Sequence, residues 1–312
     1  MLVSLSSATE AIRAHAARAT PGTVLTGLIG AGVGPSLSPP LHEAEARRLG
    51  LDLVYARFDL DDHDVPSTAV GPMLAAAREA GYRGLNITHP CKQLVLGHLD
   101  ELSPDAAALA AVNTVVFEDG RAIGHNTDWS GFARGLETGL PGVDLGAVVV
   151  LGAGGAGAAV AHGLLTAGAG RVQVFDLDPG RAAGLAGALA GRFGAGRASA
   201  GTDLETAVGA ADGLVHATPT GMAAHPGLPL PAALLRPDLW VAEVVYRPLE
   251  TGLVRTARAL GARVLDGGRM AVFQAAGAFA LFTGTEPDAA RMLDHFAALT
   301  ASPERQPADV LD

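Results

Sequence analysis

An α/β protein made of two successive strand–helix units is what this sequence predicts, and three observations point to it. Short apolar runs rich in β-branched residues alternate with stretches of helical periodicity along most of the chain. Residues 145–170 contain no Asp, Glu, Lys or Arg, yet open on Val148-Val149-Val150 and pass through glycines at 152, 154, 155 and 157. That composition suits a buried strand, a tight turn and a helix, and excludes one membrane-spanning helix. The third observation is length: 312 residues with 41 glycines and 19 prolines supply two cores and many turns.

The elements follow in order. An alanine-rich helix is expected at 8–19, then a strand at 25–30 that enters a loop of glycine and serine. Pro39 and Pro40 start the next helix, 41–49, because proline fits the first turn, where its missing N–H has no partner to lose. A strand at 53–58, a helix at 73–80 and a strand at 84–87 continue the alternation, which is the pattern of a mostly parallel sheet covered on both faces. Short helical segments at 94–99 and 104–110 precede a strand at 113–118, closed by an Asp119-Gly120 turn. A helix at 129–136 leads into Thr138-Gly139-Leu140-Pro141-Gly142, a punctuated connector, after which a second unit opens. It reads as strand 147–151, helix 158–165, strand 171–175, helix 180–189, strands 213–217 and 239–244, helix 251–260, strand 263–265 and helix 269–283. The tail beyond 301, with two prolines and several charges, reads as frayed.

Charge and cysteine content narrow the function classes. A net charge of −10 gives no long-range attraction to nucleic acid or to an anionic membrane. The single cysteine, Cys91, cannot close an intrachain disulfide, and the N-terminus lacks the basic and long apolar regions of a secretory signal, so a cytoplasmic address is expected. Ten histidines form no Cys-x-x-Cys or His-Glu-x-x-His pattern, and no metal site is expected.

Gly152-Ala153-Gly154-Gly155-Ala156-Gly157 fits G-x-G-x-x-G directly between a strand and a helix. The first glycine permits a tight turn, the second lets backbone approach a pyrophosphate, and the third allows close helix–strand packing, while the helix N-terminus offers N–H groups to anionic oxygens. Asp176 ends the next strand 24 positions beyond Gly152, where a carboxylate binds the adenosine ribose hydroxyls and repels a 2′-phosphate. Position 177 is Leu, and no cation precedes Arg181, so NAD is expected over NADP. Polar residues also recur after the strands of the first unit: Ser36 and Ser38, then Asn86, Thr88 and Lys92, then Asn113 and Asn126-Thr127-Asp128. Parallel sheets place ligands at the carboxyl ends of their strands, so these loops could converge on one polyhydroxylated molecule, although each residue alone could equally serve as a cap, a turn residue or a solvated charge.

Seven segments together carry a resemblance. Gly-Pro-Ser-Leu-Ser-Pro-Pro-Leu-His at 34–42, Asn-Ile-Thr-His-Pro-Cys-Lys at 86–92, Ala-Val-Asn-Thr at 111–114, Gly-His-Asn-Thr-Asp at 124–128, Ala-Thr-Pro-Thr-Gly-Met at 217–222, Val-Tyr-Arg-Pro-Leu-Glu-Thr at 245–251 and Asp-Gly-Gly-Arg-Met-Ala-Val-Phe-Gln at 266–274 resemble the shikimate dehydrogenase family, most of all its NAD-preferring quinate/shikimate dehydrogenases. The resemblance implies a substrate-binding and catalytic domain at 1–128, a Rossmann-like NAD-binding domain at 129–268, and a helical segment at 269–312 that packs back on the N-terminal domain. It implies reversible oxidation of the ring C3 hydroxyl of a small cyclic hydroxy-carboxylate, by a monomer or homodimer. Ser36 and Ser38 would bind the carboxylate, Lys92 and Asp128 would form the catalytic pair, and Asn86, Thr88, Asn113 and Gln274 would hold ring hydroxyls. Tyr246 would lie near substrate and nicotinamide. Gly152, Ala153, Gly154, Gly155, Ala156, Asp176, Arg181, Thr218, Pro219, Val244 and Gly267 would line the cofactor.

Independent chemistry agrees with the catalytic pair: oxidising a secondary alcohol requires a hydride acceptor and a group that takes the hydroxyl proton, and an ammonium returns that proton in the reverse direction. His89 and Cys91 beside Lys92 read as packing or loop residues, and Met270 and Phe273 as core contacts. The family pattern is broken at Pro35, where His is usual, at His216, where Asn is usual, and at Glu243, where Asp is usual. Ser38 matches biosynthetic members, since quinate-using relatives often carry Thr. Two other readings stay open: an NADP-using biosynthetic shikimate dehydrogenase or paralogue on a related ring acid, and a dinucleotide-binding regulatory protein without turnover.

Overall fold

The computed structural model describes residues 2–301, so the expected fraying beyond 301 lies outside the described residues. Two compact units emerge among the described residues, 2–127 with 275–301, and 128–274.

The first unit contains α1 (Leu2–Ala16), β1 (Val24–Gly30), α2 (Ser38–Arg48), β2 (Leu53–Asp59), α3 (Val70–Glu79), β3 (Gly84–Ile87), β4 (Glu101–Leu102), α4 (Pro104–Leu109), β5 (Thr114–Glu118) and β6 (Arg121–His125). Its sheet runs β2-β1-β3-β5-β6-β4. β5 is antiparallel to both neighbours, β3 and β6, and its reversal into β6 is made by Asp119 and Gly120, whose φ of 51° and 76° are the two left-handed residues of a tight hairpin turn. The strand after that turn was not expected from its Arg-Ala-Ile-Gly-His sequence. Alternation then sorts the side chains: Leu25, Ile29, Ala56, Phe58, Leu85, Ile87, Val115 and Phe117 enter the core beneath α1 and α3. Leu28, Leu53 and Tyr55 point to the opposite face, against Ala46 of α2 and Phe279.

The second unit contains α5 (Asp128–Gly139), β7 (Ala147–Leu151), α6 (Gly155–Thr166), β8 (Arg171–Phe175), α7 (Pro179–Phe193), β9 (Ala198–Ala200), α8 (Leu204–Gly209), β10 (Gly213–His216), β11 (Trp240–Glu243), α9 (Gly252–Ala259) and β12 (Val264–Leu265). The sheet order β12-β11-β10-β7-β8-β9 is wholly parallel, with its topological switch between β7 and β10. In this doubly wound arrangement ligands bind at the switch, outside the carboxyl ends of the strands. Val148, Val150, Val172 and Val174 pack toward Phe132, Val160, Leu164 and Leu189, while Val149, Leu151, Leu214 and Val241 pack toward Val208, Leu253 and Ala257. β7 is thus apolar on both faces, as its valine run requires.

α10 (Gly267–Thr283) is one continuous helix that belongs to the second unit up to Gln274 and to the first from Ala275, and α11 (Ala289–Ala301) completes the first unit. The division therefore falls at 274/275, inside a helix, whereas the sequence suggested 268/269. A helix carries no composition break at the point where its neighbours change.

α11 is tied to α2 by a buried carboxylate. Glu45 accepts from the Asp288 backbone N–H at 2.8 Å and from Arg291 Nε at 2.9 Å. Its side chain is 2% exposed while that of Arg291 is 30% exposed. Removing the carboxylate strands a guanidinium that can partly recover water, so Glu45→Ala is expected to cost about 1–3 kcal/mol in urea unfolding. An unchanged midpoint would show that α11 docks through its apolar face alone.

His42, also on α2, is fully buried, with both ring nitrogens lacking a hydrogen-bond partner among the described residues. Its ring lies 4.7 Å from Tyr55, 6.0 Å from Phe279 and 6.1 Å from Phe282. Burial pushes the imidazole down to about 3. The unfolded chain takes up this proton near pH 6.5 and the folded chain does not until about 3, so stability from this group is complete above 6.5 and is lost as pH falls through that window. At pH 5 the loss is about 2 kcal/mol. His42→Phe is expected to flatten the fall in stability between pH 7 and 5; an identical slope in the variant sinks the assignment.

Candidate active site

In the first unit, every residue singled out from the sequence lies at one edge of the sheet, because β1, β3 and β6 end there and antiparallel β5 begins there. The loop after β1 carries Ser36, and Ser38 opens α2. Both are half-buried, and Ser36 Oγ donates to Ser38 Oγ at 3.2 Å while accepting from the Ser38 N–H. Thr88 follows β3, its N–H bonded to the Ile29 carbonyl, and Lys92 lies half-buried in the next turn with its carbonyl accepting from Val112 N–H. Asn113 precedes β5, while Asn126 and Thr127 follow β6.

Asn86 and Asn113 are buried in a shared polar network. Asn86 Nδ2 donates to the Asn113 carbonyl at 3.2 Å and to Thr114 Oγ1 at 3.0 Å, and Tyr55 Oη donates to Asn86 Oδ1 at 2.7 Å. Both amide hydrogens of Asn86 are therefore spent, which leaves its carbonyl oxygen as the atom able to take a further hydrogen bond. Asn113 Oδ1 accepts from Thr127 N–H at 2.7 Å and Asn113 Nδ2 donates to Thr127 Oγ1 at 2.9 Å, fixing the segment after β6. Sequence reading placed Tyr55 in a strand and gave it no role. Its signal was the polar Oη on a position that alternation turns away from the larger core.

Asp59 was missed altogether. As the last residue of β2 it accepts from Gly32 N–H at 2.9 Å, Gly34 N–H at 3.0 Å and Asp61 N–H at 3.1 Å, so one buried carboxylate shapes the loop that leads to Ser36. A carboxylate ending a strand beside a glycine loop is a signal the sequence did carry. Asp59→Asn would lose charge-assisted bonds, and amide exchange across 31–36 is expected to accelerate about tenfold or more. Unchanged exchange there would mean that the loop is held by other contacts.

The second unit carries the glycine turn at the sheet's switch point. Gly152 has φ of 105°, and a Cβ there would lie 2.6 Å from the Ala217 carbonyl; a Cβ on Gly157 would lie 1.9 Å from the Gly152 carbonyl. These two positions admit only glycine for reasons of backbone. Gly155 faces open space, and a Cβ on Gly154 would meet only Arg181 Nη2 at 3.3 Å. The turn therefore has a concave opening beside the N-terminus of α6, whose first N–H groups have no partner within the helix. With Ala153 and Ala156 half-buried, this cradle fits a pyrophosphate.

Asp176 Oδ2 accepts from Ala153 N–H at 2.7 Å and Oδ1 from Asp178 N–H at 2.9 Å. Partial burial pushes its carboxyl up, but the N–H groups of Asp178 and Ala153 and the Arg181 charge outweigh this and hold it below the usual range, so it is ionised at neutral pH. Leu177 beside it is fully exposed, and Asp178 caps α7 through Gly180 N–H at 2.8 Å. On the other side of the switch, Thr218 and exposed Pro219 follow β10, and Val244, Val245 and Tyr246 follow β11. Gly267 packs against the carbonyls of Val244 and Val245. Burial raises the Tyr246 phenol, and the Arg247 charge opposes that rise.

Asp128 is buried as the first residue of α5, where a carboxylate faces the positive end of the helix dipole. Gln274 is half-buried with Nε2 donating to the Ala271 carbonyl at 2.9 Å, and its backbone packs on Gly131. Met270 lies in the core, and Phe273 is buried under the Arg134 guanidinium at 5.0 Å. Cys91 is buried and its thiol is pushed up to about 11, so it is a packing residue. Among the described residues no group of three His, Cys, Asp or Glu is placed to hold a metal ion, and no helix is long and apolar enough to cross a membrane.

Comparison with known proteins gives concordant matches. Residues 28–115 match the model of the shikimate dehydrogenase substrate binding domain. A shikimate dehydrogenase (NADP(+)) of Streptomyces avermitilis is 64% identical over 285 residues, covering 91% of this chain and 98% of that protein. A quinate/shikimate dehydrogenase (NAD(+)) of Corynebacterium efficiens is 52% identical over 281 residues, covering 89% and 99%. The solved quinate dehydrogenase from Corynebacterium glutamicum in complex with NAD superposes with a TM-score of 0.83 at 48% identity, covering 88% of this chain and 99% of that one.

Proposed function

Since this chain belongs to the shikimate dehydrogenase family, we propose that it is an NAD-dependent dehydrogenase that reversibly oxidises the C3 hydroxyl of quinate, shikimate or both to the 3-dehydro ketone. The observation that carries the cofactor choice is Asp176. Its ionised carboxylate adjoins the glycine turn, with no cation on the exposed neighbour Leu177, so it accepts hydrogen bonds from an unmodified ribose and repels a 2′-phosphate.

Under this reading residues 1–128 bind the substrate, 129–268 bind NAD, and the C-terminal helical segment from Ala275 completes the first unit. Gly152 through Ala156 cradle the pyrophosphate, Asp176 takes the ribose, and Arg181, Thr218, Pro219, Val244 and Gly267 complete the cofactor side. A dinucleotide held there would supply the hydride acceptor for the oxidation. Ser36 and Ser38 hold the substrate carboxylate through their hydroxyls. Asn86, through its remaining carbonyl lone pair, Thr88, Asn113 and Gln274 orient the ring hydroxyls, and Tyr246 lies near substrate and nicotinamide. Lys92 Nζ takes the hydroxyl proton during oxidation and returns it during reduction, with Asp128 as its acid/base partner. The single buried cysteine suits a reducing cytoplasmic compartment, and the enzyme acts as a monomer or homodimer.

One observation favours a second reading, an NADP-using shikimate dehydrogenase: the Streptomyces avermitilis relative carries that name at 64% identity. A crossed kinetic matrix of quinate and shikimate against NAD and NADP decides between them. The NAD columns are expected to show the higher kcat/KM, and Asp176→Ala is expected to shrink the NAD/NADP ratio by at least about tenfold. A wild-type ratio favouring NADP overturns the cofactor choice, and no turnover in any cell of the matrix overturns the enzyme. Lys92→Ala is expected to lower kcat by about 100-fold or more while leaving NAD affinity nearly intact. Retained kcat would remove Lys92 from proton transfer.

A further inference from the structure

The second unit holds a buried polar chain that the proposed chemistry does not use. β10 and β11 pair in register so that His216 sits opposite Glu243, each the last residue of its strand and each fully buried at the side chain. His216 Nδ1 lies 2.8 Å from Glu243 Oε1, and His216 Nε2 lies 2.5 Å from Thr218 Oγ1. The same carboxylate accepts from Val245 N–H at 3.0 Å on Oε1 and from Thr251 Oγ1 at 2.9 Å on Oε2, and Thr251 caps α9 through Val254 N–H. Thr218 Oγ1 also accepts from Thr220 N–H at 3.3 Å.

These bonds have a direction. A carboxylate only accepts, so His216 Nδ1 carries the proton; in the neutral imidazole Nε2 is then an acceptor, and the Thr218 hydroxyl donates to it. The Thr218 rotamer is thereby set by a residue on the next strand. The consequence reaches the glycine turn, since a Cβ on Gly152 would lie 2.6 Å from the Ala217 carbonyl and 3.1 Å from Thr218 Cγ2. The glycine turn and the loop after β10 are packed face to face at the switch point, and the loop after β11 hangs from the same carboxylate through Val245.

We propose that Glu243 and His216 are positioning residues for dinucleotide binding: they fix the direction of the Thr218 hydroxyl and the placement of the 217–222 and 244–246 segments on either side of the cofactor. The proposal rests on the dehydrogenase reading for the identity of the ligand. Sequence comparison alone marks His216 and Glu243 as two separate departures from the family pattern; the structure makes them one interacting pair.

Glu243→Gln is the informative change. It keeps size, but Val245 N–H and Nδ1–H share one carboxylate oxygen: an amide nitrogen in that place donates to Nδ1, moves the imidazole proton to Nε2, reverses the bond to Thr218 and leaves Val245 N–H unmet, whereas an amide oxygen there turns the NH2 against Thr251 Oγ1 and breaks the link to α9. NADH binding followed by fluorescence, and kcat and KM for the dinucleotide, would be measured for the wild type, Glu243→Gln, Thr218→Val and the double variant. Glu243→Gln is expected to weaken dinucleotide binding about tenfold with kcat changed less than about threefold, and to add little once Thr218→Val is present. His216→Leu, which deletes the link from the other end, serves the same cycle should Glu243→Gln not fold. Unchanged affinity, or effects of the two sites that simply multiply, overturns the proposal and leaves the pair a stabilising contact. A wild-type protein that binds no dinucleotide overturns both this proposal and the function on which it rests.

Discussion

Parallel strands that all end at one edge leave their following loops without a sheet to satisfy them, and a carboxylate at the end of a strand meets that need three times in this protein. Asp59 at the end of β2 takes N–H groups from the loop after β1, Asp176 just beyond β8 takes one from the loop after β7, and Glu243 at the end of β11 takes the histidine that ends β10. Each also takes an N–H from its own loop, at Asp61, Asp178 and Val245. An acceptor with four lone-pair sites serves two adjacent loops at once, and the pairing of neighbouring strands delivers it to the right place. Loops that would otherwise sample many conformations are held before any ligand arrives, and this reduces the ordering cost of binding.

The two sheets use this device on different scaffolds. In the second unit the valine-rich β7 is apolar on both faces, so polar residues can enter only where the strand stops, and the turn at Gly152 is set directly on it. In the first unit β3 and β5 send Leu85, Ile87, Val115 and Phe117 toward α1 and α3, and on the other face Val116 packs on Ala278 and Phe282. Asn86 and Thr114 take the other face, where Tyr55 and Asn113 satisfy them. These strands are buried on both faces and still carry a polar network, because every amide and hydroxyl in it finds a partner that offsets the desolvation cost.

Much of this was legible in the sequence because it is local. The valine run, the glycine spacing and the prolines at 39 and 40 each determine structure within a few residues, and the strand–turn–helix at 147–166 follows from them. Asp176 stands out in the sequence through its fixed distance from the glycine turn, but its bond to the Ala153 N–H does not. β4 and β9 have two and three residues, too few to show a period, and β6 carries Arg, Gly and His among its five positions. The helix at α1 begins earlier than its alanine-rich part suggests. The partners of Asp59, Tyr55 and the His216–Glu243 pair were not legible for another reason: Asp59 serves the loop after the adjacent β1, Tyr55 reaches past β1 to Asn86 on β3, and His216 meets Glu243 on the adjacent β11, and which strands lie together depends on the order of the whole sheet. His216 and Glu243 stood out singly, but nothing in a linear sequence says that they touch.

If Asp176 takes the ribose as proposed, its double duty bears on how cofactor preference arises. Its two oxygens are engaged by Ala153 and Asp178 N–H groups, so each retains capacity for a ribose hydroxyl only because a carboxylate oxygen accepts more than one bond. Replacing it by a neutral side chain removes the repulsion toward a 2′-phosphate and also loosens the turn that faces the pyrophosphate, which both dinucleotides share. Absolute affinity for NAD and for NADP should then fall together, and only the ratio between them isolates the ribose. An efficient NADP-using variant would need a cation at 177 and, separately, a new acceptor for Ala153 N–H. On the proposed reading, architecture and specificity are joined at this one carboxylate, and a change of cofactor would take more than one substitution.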